Sequence, residues 1–145
     1  MSGVRYPFAS PGWMAFMHGM IRERASRLFA EAPGVGWSIC EVFTDPPPEL
    51  SPTGRPIAWH VIVRDGEVSF GDTETDAAEI KIVADYAAVL PLGRFDTRGD
   101  PARAAELGAM SRDLIARGLM TVVGDRSRRD PRIGDFHDAI ARVTA

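Results

Sequence analysis

With 145 residues, 45% of them hydrophobic and 26% charged, the chain is sized for one domain that buries its own core without staples. A formal net charge of −3 argues against a phosphate-neutralising surface, so no nucleic-acid partner is expected. The single cysteine, Cys40, excludes an internal disulfide and the usual zinc spacings. Lys81 is the only lysine, a bias that reads as GC-rich coding rather than function. No apolar run reaches the roughly 18 residues of a membrane span. Gly12, His18, Arg22 and Glu23 interrupt any leader-like core near the start. A soluble, unexported, cytoplasmic protein with no stable membrane insertion is the expectation.

Along the chain, Ser10-Pro11 offers a cap and a first-turn proline for a helix. Trp13, Phe16, Met17, Met20, Ile21, Leu28 and Phe29 then recur at helical spacing opposite Arg22, Glu23, Arg24 and Arg27. Pro33-Gly34 ends this helix of about five turns. Residues 37–44, rich in aromatic and β-branched side chains, predict a strand. The proline-dense stretch 46–56 forbids helix and central strand, and predicts a long exposed connection inside a single domain spanning residues 1–145. Residues 57–63 and 67–71 flank Asp65-Gly66, a hairpin signal. Ile80, Ile82 and Val83 mark the next strand, and Asp85 caps a short helix closed by residues 92–95. Asp100-Pro101 opens a further helix to about residue 116, with Gly118 as its stop. Residues 119–123 form the last strand. Ile133, Phe136, His137, Ile140 and Val143 share one face of a C-terminal helix. The order α-β-β-β-β-α-α-β-α, with hairpins early and helices late, indicates an α+β layer rather than a doubly wound sheet.

Taken together, the Asp65-Gly66 hairpin, the strand at 79–83 entering the Asp85 helix, and the strand at 118–125 followed by an amphipathic helix resemble the sterol carrier protein 2 family. The resemblance covers most of the chain. It implies a five-stranded, mostly antiparallel sheet with helices packed on one face and an apolar tunnel between the layers. It also implies binding of a fatty acid, acyl-CoA, sterol or other apolar molecule, with no cofactor, no metal and no catalysis. Two departures stand out. Residues 95–117 exceed the usual connection, and the end at Ala145 lacks a Ser-Lys-Leu address, which suits a bacterial or non-peroxisomal protein.

The binding expectation places the ligand among Phe16, Met17, Met20, Leu90, Phe95, Met110, Leu114, Phe136 and Ile140, where methionines adapt their shape to cargo. The competing reading is that these side chains pack only against one another. A second function is a small enzyme acting on an apolar substrate, with His60 or a buried carboxylate as general base. No histidine pair has the spacing of a helical metal site, and His137 reads as a boundary residue. Cys40 reads as an inert buried thiol. Asp72, Glu74, Asp76 and Glu79 form an acidic run without the pattern of a calcium loop, so a solvated turn is expected. Arg126, Arg128 and Arg129 read as a solvated loop or as a clamp for a carboxylate or CoA phosphate. A third function is a non-catalytic module that forms a homodimer or docks a partner through the sheet edge or the first helix.

Overall fold

The computed structural model describes residues 3–32, 34, 36–124 and 136–145. Ser10 is extended (φ −70°, ψ 164°) and its Oγ accepts from the Trp13 amide at 3.3 Å. Pro11 takes the first helical position, so α1 (Pro11–Glu31) starts where cap and proline predict. Its buried stripe is Trp13, Met17, Ile21, Ala25 and Leu28. The large members of that stripe each contribute about 1.5–3 kcal/mol relative to exposure.

Four strands follow: β1 (Trp37–Thr44), β2 (Ile57–Arg64), β3 (Glu67–Gly71) and β4 (Ile80–Asp85). Both Asp65 (φ 54°) and Gly66 (φ 78°) are left-handed, the turn whose twist matches a two-residue hairpin, and Arg64 pairs with Glu67 across it. The proline-rich connection between β1 and β2 is mostly exposed, although Pro46 is buried and Leu50 packs against the core. β4 runs directly into α2 (Tyr86–Gly93), because Asp85 ends the strand and its Oδ1 caps the Ala88 amide at 2.9 Å. Then come α3 (Pro101–Ala116), β5 (Met120–Val123) and α4 (Phe136–Ala141). Ile133, Arg126, Arg128 and Arg129 lie outside the described residues.

The sheet order is β3-β2-β1-β4-β5. β1 pairs parallel with β4, while the β1–β2, β2–β3 and β4–β5 pairs are antiparallel. The fold is therefore α+β, on a mixed, mostly antiparallel five-stranded sheet. Strand alternation assigns the two faces. Trp37, Ile39, Glu41 and Phe43 of β1 share the helix side with Trp59, Val61 and Val63 of β2 and with Ile80, Ile82 and Ala84 of β4. Ser38, Cys40, His60 and Lys81 share the other.

That outer face is closed by the crossover 72–79, which must pass β2 and β1 to reach β4. His60 Nδ1 lies 2.6 Å from the Thr73 carbonyl, and the Glu79 amide donates to Ser38 Oγ at 2.8 Å. Lys81 pairs with Glu74 and Asp76 of the crossover. The acidic run is thus partly a strap with a cation of its own, rather than only a solvated turn. At the chain ends, Tyr6 bridges Thr144 in parallel, with the Tyr6 amide on Val143 O at 2.7 Å and the Ala145 amide on Tyr6 O at 2.8 Å. Among the described residues no helix is long and apolar enough to cross a membrane.

Candidate functional site

A cavity of about 760 Å³ lies between the helix-facing side of the sheet and the four helices. Small-molecule sites span about 300–1,000 Å³. Its floor is Trp37, Ile39 and Glu41 of β1, Trp59 of β2, Ile80 and Ile82 of β4, and Met120 of β5. Trp13 and Met17 of α1 and Val89, Leu92 and Gly93 of α2 form two walls. Gly93 has a local reason: a Cβ there would meet Phe8 Cε2 at 2.9 Å, and Phe8 also lines the space.

The third wall explains why space remains. Across the 16 residues of α3, Leu114 alone is buried. The helix is anchored at its C-terminal end, where the Gly118 amide donates to Ile115 O at 3.1 Å and the Leu119 amide to Leu114 O at 2.9 Å, with Gly118 at φ 73°. The α3 residues lining the cavity are Ala104, Leu107, Gly108 and Ser111, mostly small. A helix presenting small side chains to a sheet it does not closely pack leaves a void.

The fourth wall, α4, contributes Phe136, His137, Asp138 and Ile140. It is pinned by polar contacts to the 94–100 connection. Thr97 donates to Asp138 through its amide (2.8 Å) and its hydroxyl (2.6 Å), and His137 Nε2 lies 3.0 Å from the Phe95 carbonyl. Desolvation pushes the Asp138 carboxyl up. The Thr97 hydrogen bonds, with nearby His137 and Arg142, outweigh it and hold the carboxyl below the usual range. Trp13 Nε1 donates to Thr144 Oγ1 at 3.0 Å, and that hydroxyl donates to Ile140 O at 2.8 Å, tying α1 to the end of α4.

The residues of the floor carry two polar features. Glu41 stands between Trp59 and Ile82 on the central strand. The indole Nε1 atoms of Trp37 and Trp59 are buried with no hydrogen-bond partner among the described residues. An unmet buried donor costs about 1–3 kcal/mol.

Of the nine residues expected at the ligand, Met17, Phe136 and Ile140 line the cavity. The other six are not among its lining. Phe16 is 36% exposed beside Tyr6, because the buried stripe of α1 advances from Trp13 by fours and leaves Phe16 on its flank. Met20, Leu90 and Met110 are half-buried at the margin of the core, and Leu114 is the buried anchor of α3. Phe95 carries the Arg103 guanidinium 4.6 Å above its ring. His60 projects from the opposite face of the sheet, so it is not placed to act as a base on anything in the cavity. Cys40 is fully buried on that same face, where burial pushes its thiol up despite Thr75 and Lys81 nearby. His18 stacks on Phe70 at 4.3 Å and meets Arg22 at 2.6 Å, with burial first and then Arg22 lowering its pKa. Among the described residues no cluster of potential metal ligands occurs. Glu41, Trp37, Trp59 and the small stripe of α3 were not anticipated. The signal for Glu41 was present, since it breaks the alternation Trp37, Ile39, Phe43 on an otherwise apolar strand face.

No protein-family profile and no curated protein matches the chain. Solved structures do. A crystal structure of sterol carrier protein 2 superposes with a TM-score of 0.52 at 18% identity, covering 95% of this chain and 99% of its own. A conserved hypothetical protein from Thermus thermophilus, whose own assignment as a sterol carrier protein is provisional, gives a TM-score of 0.51 at 19% identity. That match covers 100% of this chain and 94% of the other. The chain has a sterol-carrier-protein-2-like fold.

Proposed function

We propose that this chain binds, and passes on, a lipid or another apolar small molecule held in a tunnel between sheet and helices. The observation that carries this reading is the space of about 760 Å³ behind α3. Its lining combines Phe8, Trp13, Trp37, Trp59 and Phe136 with aliphatic side chains, and the fold likeness to sterol carrier protein 2 supports it. Burial of apolar area supplies the affinity, at about 25 cal/mol per Å² removed from water before the losses of association are subtracted. Native mass spectrometry of the purified protein, with solvent extraction, is the test. A bound apolar molecule, or a raised melting temperature with fatty acids, acyl-CoAs or sterols, is expected. An empty protein indifferent to all three classes rejects the reading.

A further inference from the structure

Resting on that reading, we infer that the cavity's ligand is an apolar molecule bearing carbonyl- or ether-type oxygens, held by the indole N–H groups of Trp37 and Trp59. All three tryptophans of the chain line the cavity. Trp13 spends its donor on Thr144. Trp37 and Trp59, 2% and 0% exposed, have no acceptor among the described residues, and water does not reach either nitrogen. Both rings stand on the helix-facing side of the sheet, Trp37 opposite Val63 and Trp59 opposite Glu41. Beneath them lies backbone whose amides and carbonyls are engaged in the ladder; beside them lies the cavity. A ligand acceptor therefore arrives from the cavity, with a small adjustment of each ring.

The register adds a constraint on shape. Trp59 pairs with Glu41, four positions along β1 from Trp37, so the two backbone positions stand roughly 13 Å apart at about 3.3 Å per residue. That spacing suits oxygens at separate points of an elongated molecule. A pure hydrocarbon, for its part, fills the volume and leaves both donors unmet.

The test compares tridecane-2,12-dione, n-tridecane and tridecanoate, delivered from cyclodextrin and followed by the three indole N–H resonances in ¹H–¹⁵N spectra. The dione is expected to bind at least about tenfold more tightly than the alkane, and to shift the Trp37 and Trp59 signals downfield while Trp13 stays in place. Trp37→Phe and Trp59→Phe keep a ring and remove a donor that bonds to nothing, so both variants should fold. Each should lose about tenfold of dione affinity beyond whatever change it makes in alkane affinity. Equal binding of dione and alkane, or a preference that survives in both variants, overturns the inference while leaving cavity binding intact. Tridecanoate binding most tightly overturns the carbonyl- or ether-type assignment. If none of the three binds, the cavity reading falls and this inference with it.

Discussion

The two faces of the sheet solve the same problem in opposite ways. On the outer face the crossover supplies a partner for each polar group it covers. Ser38 meets the Glu79 amide, His60 meets Thr73, and Lys81 meets Glu74 and Asp76. On the inner face large aromatic side chains pack tightly near α1, yet the cavity holds empty volume, and two indole donors of its lining residues have no acceptor among the described residues. Native interiors seldom leave both space and unmet donors in one place. The contrast separates a face whose polar groups are met within the chain from one where space and two donors are left unmet among the described residues.

Four substitutions sharpen that contrast, taken from the largest effect to the smallest. Phe43→Ala removes a ring with 0% exposure that lies 4.7 Å from Phe8, in the filled part of the inner face. Urea unfolding should report a loss of about 3–5 kcal/mol. Asp138→Asn removes the ionised acceptor of both Thr97 hydrogen bonds and should cost about 2 kcal/mol near neutral pH. The folded carboxyl titrates below its ordinary value of 3.8, so its contribution is full above that value and is lost as pH falls through the lower folded one. Unfolding curves of wild type and variant should therefore converge on acidification; a gap that persists in acid assigns the loss to packing instead.

Ser38→Ala tests the outer face. It strands the Glu79 amide beneath the crossover, for a loss of about 1–2 kcal/mol without change in ligand loading. Gly108→Leu tests the empty part of the inner face. A Cβ there meets only the mobile end of Arg112, at 3.3 Å, and replacing a helical glycine is stabilising by up to about 1 kcal/mol. Stability should hold or rise slightly while retention of apolar cargo falls, a split readable by pairing thermal melts with mass spectrometry. Destabilisation equal to that of Phe43→Ala would mean that the region under α3 is packed core.

The element order was legible because its punctuation is local. Ser10, Asp85 and Asp100 cap their helices, Asp65-Gly66 turns its hairpin, and Gly118 stops α3. Each acts through backbone groups within a few residues, so one sequence suffices to read it. The cavity was less legible because a void is made by what side chains lack. A search for large apolar residues finds Met17, Phe136 and Ile140, and also Met110 and Leu114, which belong to the margin and the anchor. It passes over Ala104, Gly108 and Ser111, whose smallness opens the space. The crossover was hidden for a different reason. Whether His60 faces cargo or strap depends on strand register with β1 and on a chain path fixed only by sheet order.

The attachment of α3 has a kinetic meaning. Its one buried residue, Leu114, sits in the last turn, next to the glycine stop that leads into β5. Its N-terminal part is held by the Arg103 guanidinium, which donates to Asp96 O at 2.9 and 2.7 Å and lies over Phe95. An opening there breaks these contacts and leaves the Trp13–Trp59 contact and every strand pairing in place. Opening of that kind belongs to the low-energy, local class of motions, well below the free energy of global unfolding. The cost of opening over the cavity is thereby separable from how stably the protein is folded. Substitutions in α3 and in the 94–100 connection can change that cost while the sheet stays unchanged.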